Sequence, residues 1–166
     1  MPRITPDFTF HIASLRFADK FMATGEWTSL VSIGHPNGTE NCVLRAPHSL
    51  VLNMWDDAPY WRRVRGLPRG EDVLRLITFA REIHPGERLL LHCKAGRSRS
   101  TASAMIVMAA RGLSEEYCLA ALLRNGRKAT PNGWLLKLAD ALLDTSLFAA
   151  AKEAGIVKWK REVASA

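Results

Sequence analysis

The sequence contains few cysteines and no long apolar run. Its three cysteines, Cys42, Cys93 and Cys118, are too few, and odd in number, for a disulfide framework, and they suit a reducing compartment in which a thiol stays free. No stretch of about 18 consecutive apolar residues occurs, so the sequence predicts no transmembrane segment. The N-terminus lacks the apolar core of a signal peptide, and we therefore expect a cytoplasmic location.

Acidic residues are also scarce relative to basic ones. The chain has 16 Asp and Glu against 23 Lys and Arg, which gives a formal net charge of +7. Residues 61–70 contain four arginines and no acidic residue. A basic surface favours anionic partners such as phosphoesters, nucleic acid or acidic lipid, although solubility alone explains the charge equally well. No nucleic-acid recognition motif accompanies the charge, so we expect no nucleic-acid partner.

The order of apolar patterns predicts an α/β fold. The 166 residues fit a single domain, 1–166, and show no internal repeat. Short apolar runs predict strands over residues 8–12, 30–33, 50–55 and 88–92. Helical periodicity or capping signals predict helices over residues 17–23, 71–84, 101–110, 114–123, 131–142 and 149–159. This alternation indicates a central, mostly parallel sheet with helices on both faces.

Residues 92–100, HCKAGRSRS, lie between a predicted strand and a predicted helix. Gly96 permits a tight turn that directs successive backbone N–H groups inward, and the unpaired N–H groups of the following helix point to the same place. Arg99 adds a planar guanidinium that binds two oxygens at once. The sequence therefore predicts a phosphate-binding loop, formed by Lys94, Ala95, Gly96, Arg97, Ser98 and Arg99.

Cys93 lies at the base of this loop, where the positive end of a helix and nearby cations favour the nucleophilic thiolate. The hydroxyl of Ser100 is placed to donate to the Cys93 sulfur and to stabilise it as a leaving group. A merely structural cysteine would explain neither Gly96 nor Arg99 at these spacings. We therefore expect phosphoester hydrolysis through a cysteinyl-phosphate intermediate, without a cofactor; the scattered histidines show no metal-site spacing.

The segment HCKAGRSRS resembles the His-Cys-x5-Arg-Ser/Thr signature of the protein tyrosine phosphatase superfamily. It is similar to the dual-specificity branch and to a bacterial group of predicted tyrosine phosphatases. Residues 127–132, RKATPN, resemble the segment that follows the signature in dual-specificity enzymes. The resemblance implies that a buried His92 orients the loop and tunes the thiol. It also implies that Asn132 supports the loop from behind.

The resemblance further implies a general acid, an Asp a few tens of residues before the cysteine. Two candidates, Asp56 and Asp57, follow the strand predicted over residues 50–55. The pattern of the bacterial group favours Asp57, whereas alignment of the strand with dual-specificity enzymes favours Asp56. We favour Asp57. Both residues are also explained as solvated turn residues before Pro59.

Three functions remain open for this chemistry. The first is a protein tyrosine or dual-specificity phosphatase acting on a phosphorylated protein. The second is a phosphoinositide or phosphatidylglycerophosphate phosphatase. A phosphoinositide phosphatase of the superfamily has basic residues at the positions of Lys94 and Arg97, and a phosphatidylglycerophosphate phosphatase of the superfamily resembles this loop even more closely. These two cations predict a preference for substrates with a second anionic group. The third is an inactive phosphate-binding module, which the presence of Cys93 and Arg99 disfavours.

The other two cysteines, Cys42 and Cys118, are expected in the core, with a protective disulfide to Cys93 as the alternative. The sequence does not indicate an oligomeric state.

Overall fold

The computed structural model describes residues 6–56, 65–125 and 128–159. Strands and helices alternate along these ranges. The elements are β1 (Thr9–Ser14), α1 (Leu15–Ala23), β2 (Ser29–Gly34), β3 (His48–Asn53), α2 (Gly70–Arg81), β4 (Arg88–Cys93), α3 (Arg99–Ala110), α4 (Glu115–Arg124), α5 (Gly133–Leu143) and α6 (Leu147–Glu153).

The four strands form one parallel sheet in the order β1-β4-β2-β3. Strand β4 is central, and its residues Leu89, Leu90 and Leu91 are fully buried because both faces of the sheet are covered. The carboxyl ends of parallel strands meet at one edge. That edge brings Cys93 of β4 close to Gly34 of β2, which is paired with Asn53 of β3.

Helices cover both faces of the sheet, which confirms the predicted α/β class. A small apolar cluster on one face joins α1 to the sheet, through Ala18, Met22, Leu30 and Leu90. The larger core lies on the other face, where α2 and α3 contact the sheet and α4, α5 and α6 pack around them. None of the helices in the described ranges is both long and apolar enough to cross a bilayer.

Helix α3 is the central helix of the larger core. Every residue from Arg99 to Ala109 is buried, because the helix touches the sheet on one side and α2, α4 and α5 on the others. Small and apolar residues all round the helix explain this position. The first turn of α3 consequently lies directly beyond the carboxyl end of β4, with the predicted phosphate loop between them.

Several predicted boundaries differ from the observed ones by a few residues; helix α2, for example, ends at Arg81 rather than at residue 84. Strand β3 ends at Asn53 rather than at residue 55, and α5 begins at Gly133, with Asn132 as its N-cap, rather than at Pro131. The helix predicted over 149–159 ends at Glu153, because Gly155 adopts a left-handed conformation with φ of 72°. Lys158 then runs beside Asn132 in a parallel bridge.

Candidate active site

The loop of residues 94–98 joins β4 to α3 and surrounds the sulfur of Cys93. Gly96 has a φ of 69°, a left-handed conformation that a residue with a side chain rarely adopts. Cys93 is 2% exposed, and its Sγ lies 3.1 Å from the Oγ of Ser100 in the first turn of α3. Ser98, the N-cap of α3, makes no side-chain cap bond, so its hydroxyl leaves the first N–H groups of the helix open.

Arg99 is buried in the first turn of α3, with 7% of the residue exposed. Its Nη1 donates to the carbonyl oxygens of Gly34 at 3.0 Å and Met54 at 2.8 Å, so the ends of β2 and β3 fix the guanidinium. Its Nε is buried and has no hydrogen-bond partner among the described residues. A buried, charged donor without a partner is costly, and an oxyanion in the loop would satisfy it.

His92 is fully buried behind the loop. The backbone N–H of Cys42 donates to its Nε2 at 3.1 Å, so Nε2 is the acceptor and the ring proton belongs on Nδ1. Nδ1 then faces the carbonyl oxygen of Cys93 at 3.4 Å, and Ser32 Oγ lies 2.7 Å from Nε2. Burial lowers the pKa of His92, so the ring is neutral, and it lies against the backbone where the predicted phosphate loop begins.

Residues 35–46, the wall loop, form one flank of the site. Glu40 Oε1 accepts a hydrogen bond from Lys94 Nζ at 2.7 Å, and this bond lowers the pKa of Glu40. Asn41 bonds both Ser32 and Asn53, which ties the wall loop to β2 and β3. A Cβ at Gly34 would clash with the Asn41 side chain, so only glycine permits this close approach.

The sequence predicted no functional role for the wall loop. Its first residues do form a turn, in which Gly38 N–H donates to the His35 carbonyl. The signal for a functional element was weak: a glycine at the end of a predicted strand, followed by polar residues. Nothing local indicated that Glu40 would reach Lys94, because the two residues meet only through the pairing of β2 with β4.

Asp56 anchors the opposite flank. Its Oδ1 accepts hydrogen bonds from Ser98 Oγ at 2.5 Å and Asn132 Nδ2 at 3.0 Å, and its Oδ2 accepts one from Lys158 Nζ at 2.8 Å. Burial raises the pKa of Asp56, but the hydrogen bonds from Lys158, Ser98 and Asn132 outweigh burial and hold this pKa below its ordinary value. These four residues are called the Asp56 hub below. Its carboxylate is ionised at neutral pH.

Asn132 reaches the phosphate loop through both its backbone and its side chain. Its backbone N–H donates to the carbonyl of Ser98 at 3.2 Å, and the neighbouring Thr130 N–H donates to the carbonyl of Arg97 at 2.9 Å. Its Oδ1 accepts from Leu135 N–H at 3.0 Å, which caps α5. One buried residue therefore links the start of α5, Asp56 and the far side of the loop.

No protein-family model and no curated protein sequence matches this chain. Solved structures do match. A variant of human DUSP28 superposes with a TM-score of 0.59, at 19% identity, over 92% of this chain and 96% of that chain. PTPMT1 in complex with PI(5)P gives a TM-score of 0.56, at 13% identity, over 88% of this chain and 94% of that chain. Tk-PTP in the active form gives a TM-score of 0.53, at 17% identity, over 84% of this chain and 93% of that chain. The chain has the dual-specificity phosphatase fold.

Within this phosphatase fold, most of the sequence-predicted site residues come together. Cys93, Arg99 and Ser100 meet at the loop, with His92 behind it. Ser98 belongs to the Asp56 hub with Asn132, whereas Lys94, Ala95 and Arg97 are exposed. Asp57 lies outside the described residues. In the described ranges, no group of three or more His, Cys, Asp and Glu side chains is arranged to hold a metal ion.

The other two cysteines are buried, as expected, and all three are free thiols. Cys42 Sγ donates to Asp19 Oδ1 at 2.9 Å, and burial together with this carboxylate raises the pKa of Cys42 to about 12. Burial raises the pKa of Cys118 to about 12 as well. Neither thiol is ionised near neutral pH, so neither is a competing nucleophile.

Proposed function

We propose that this chain is a cysteine-dependent phosphatase that hydrolyses phosphoesters through a cysteinyl-phosphate intermediate. One observation carries the proposal. Cys93 Sγ lies 3.1 Å from Ser100 Oγ in the first turn of α3, and Arg99 in the same turn is buried, with an Nε that has no partner among the described residues. A phosphate bound here would give Arg99 its missing acceptor and would place phosphorus next to the sulfur.

In the first step, the Cys93 thiolate attacks phosphorus while the ester oxygen departs with the proton of a general acid. The P–S bond forms as the P–O bond breaks. The non-bridging oxygens are stabilised by the loop N–H groups, the open N-terminus of α3 and the Arg99 guanidinium. In the second step, water attacks phosphorus, the P–S bond breaks, and the Ser100 hydroxyl stabilises the departing thiolate.

The general acid is proposed to be Asp57. A general acid must carry a proton before the ester bond breaks. Asp56 is poorly suited to that role, because the Asp56 hub supplies three donors to its carboxylate and keeps it ionised. These contacts support Asp56 as an anchor of the loop, and we therefore propose Asp57 as the proton donor.

The favoured substrate is a phosphorylated tyrosine, serine or threonine in a protein, in keeping with the fold of human DUSP28. A lipid phosphate is the second candidate, because the fold also matches PTPMT1 solved in complex with PI(5)P. Lys94, one of the two loop cations that favoured the lipid, is paired with Glu40. A free Cys93 thiol also requires reducing conditions, and we therefore propose a cytoplasmic location.

The covalent mechanism is tested with a small aryl phosphate and two cysteine variants. Cys93→Ser is expected to abolish turnover and to retain phosphate binding, because the backbone of the loop remains. Cys118→Ser, a buried cysteine in α4, is the matched control and should stay active. Substantial turnover by Cys93→Ser would rule out the mechanism.

The role of Arg99 is tested in the same assay. The variant Arg99→Lys should have a kcat lower by about 100-fold or more, because lysine lacks the planar pair of donors.

The general acid is tested by comparing leaving groups. Asp57→Ala should slow hydrolysis of a tyrosyl or alkyl phosphate by about 10²–10⁴-fold and affect an activated aryl phosphate much less, because a good leaving group needs little protonation. The wild-type rate should fall at alkaline pH as the acid loses its proton. If Asp56→Ala shows this leaving-group dependence and Asp57→Ala does not, the assignment is wrong.

A further inference from the structure

The ion pair between Glu40 and Lys94 lies at the rim of the proposed phosphate site. Lys94 follows the nucleophile directly, and its Nζ donates to Glu40 Oε1 at 2.7 Å. The Lys94 side chain is 68% exposed, whereas that of Glu40 is only 23% exposed. The carboxylate is thus the better-buried and better-fixed partner, and the flexible lysine adapts to it.

The wall loop holds Glu40 in place by several contacts. Glu40 has a φ of 65°, a left-handed conformation that non-glycine residues seldom adopt. On one side, the Thr39 carbonyl accepts from His35 N–H at 2.8 Å, and on the other, Asn41 is bonded to Ser32 and Asn53. Such a conformation persists only where neighbouring contacts enforce it. The position of Glu40 is therefore a property of the folded loop.

This pairing alters the charge that the site offers to a substrate. Lys94 was expected to attract a second anionic group, but its charge is offset by Glu40. Glu40 also interacts electrostatically with Arg99, so its negative charge reduces the positive potential at the proposed phosphate site itself. Arg97 is exposed, and it has no acidic partner within the described ranges. The two cations of the loop are consequently not equivalent.

We propose that Glu40 is a specificity-determining residue, which makes the pocket select against substrates that carry a second anionic group on the Lys94 side. The inference rests on the proposed phosphatase function and replaces the sequence-based expectation that Lys94 favours such substrates. A second anion near Lys94 must either displace Glu40 from the ion pair or lie close to its carboxylate. Both outcomes weaken binding relative to a substrate without that anion.

The test compares two phosphotyrosine peptides that differ only in their flanks, with glutamine on both sides in one and glutamate in the other. Wild-type enzyme should hydrolyse the glutamate peptide less efficiently than the glutamine peptide. Glu40→Gln should raise the ratio of kcat/KM, glutamate peptide over glutamine peptide, by about fivefold at low salt. This gain should shrink in high salt, since the charges are near solvent.

A second variant tests the same pair from the other side. Lys94→Gln leaves the Glu40 charge unpaired and should lower the ratio, and the double variant should return it close to the wild-type value. A purely structural role for Glu40 would change both peptides equally and would leave the ratio and its salt dependence unaltered. Asp7→Asn is the matched control, because it breaks an ion pair with Arg111 at 2.7 Å that lies away from the phosphate loop.

The outcomes separate this inference from the proposed function. A wild-type protein that hydrolyses neither the peptides nor an aryl phosphate would overturn the proposed function, and this inference with it. An active enzyme in which Glu40→Gln changes the ratio by less than about twofold would overturn this inference alone. If Glu40→Gln fails to fold, the wild-type ratio decides, because a ratio of one or more contradicts selection against the second anion.

Discussion

The two flanks of the phosphate loop are held by contacts of different physical kind. On the Lys94 flank, the wall loop contributes an ion pair whose lysine is 68% exposed. On the Ser98 flank, the Asp56 hub contributes hydrogen bonds from Ser98 and Asn132, which are 5% and 2% exposed. Water competes for Lys94 in the first contact. In the second, the two donors are shielded from water, although the Asp56 side chain is 27% exposed and also pairs with Lys158. The exposed flank is therefore suited to adjusting charge, and the buried flank to fixing geometry.

The energies expected for the two flanks differ accordingly. An exposed ion pair contributes about 0–1 kcal/mol, because water screens the charges and two flexible side chains must be ordered. A hydrogen bond to a charged group contributes about 1.5–3 kcal/mol, and a buried donor that loses its acceptor carries a further penalty. Variants on each flank test this difference directly.

The largest effect is expected for Asp56→Ala. The change removes the acceptor of two buried donors, Ser98 and Asn132, and leaves them unsatisfied. We expect a loss of about 2–4 kcal/mol in the free energy of unfolding, measured with urea. Activity should fall for good and poor leaving groups alike, because the loop itself is disturbed. A loss below about 1 kcal/mol would contradict the assignment of Asp56 as an anchor.

The acid dependence of stability should identify the same carboxylate. The pKa of Asp56 is below its ordinary value in the folded chain, so ionised Asp56 stabilises the fold at pH values above the unfolded-state pKa of about 4. This contribution is lost as pH falls through the lower, folded-state pKa. Asp56→Asn should consequently show a shallower loss of stability than wild type in that acid range. Parallel curves for the two proteins would show that Asp56 carries no such contribution.

A smaller effect is expected for Asn132→Ala, which removes the cap of α5 and one donor to Asp56. The free energy of unfolding should fall by about 1–2 kcal/mol, and kcat should fall with it. Ser114→Ala is the matched control, because Ser114 caps α4 by accepting from Tyr117 N–H at 3.2 Å and lies outside the Asp56 hub. The control should lose stability without losing activity. Equal activity in the two variants would limit Asn132 to helix capping.

The smallest effect on stability is expected on the exposed flank. Lys94→Met breaks the ion pair with Glu40 and should change the free energy of unfolding by less than about 1 kcal/mol. Its consequence should instead be seen in the salt dependence of kcat/KM for acidic peptides. A stability loss as large as that of Asp56→Ala would remove the distinction between the two flanks.

Part of the site could be predicted because its residues are contiguous. The strand, the loop and the start of α3 follow one another along the chain, so Cys93, Gly96, Arg99 and Ser100 were placed by local pattern alone. The apolar run of β4 identified a buried strand for the same reason. Ser114 was recognised as a helix cap from its position before an amphipathic segment, and its Oγ accepts the expected bond.

Other features were beyond local reasoning. The helix predicted at the C-terminus was too long, because an alanine-rich segment indicates helix up to Gly155 and nothing in it indicates the return of Lys158 to Asp56. Lys94 was treated as an unpaired cation, because Glu40 is remote from it in sequence. The sequence favoured Asp57 over Asp56 without excluding either, because adjacent carboxylates are distinguished only by the donors that tertiary contacts bring to each.

The sequence by itself determined the α/β class and the chemical character of the loop that contains Cys93, since both depend on short-range periodicity and on neighbouring residues. The tertiary structure decided which charges in that loop are paired. The strand order β1-β4-β2-β3 places the ends of β2 and β3 beside the loop, where their carbonyl groups hold Arg99. The same order brings Glu40 to Lys94, while Asn132 and Lys158 meet at Asp56. Hydrogen bonds and ion pairs act over only a few ångströms, so segments far apart along the chain can exchange them only after the sheet has formed.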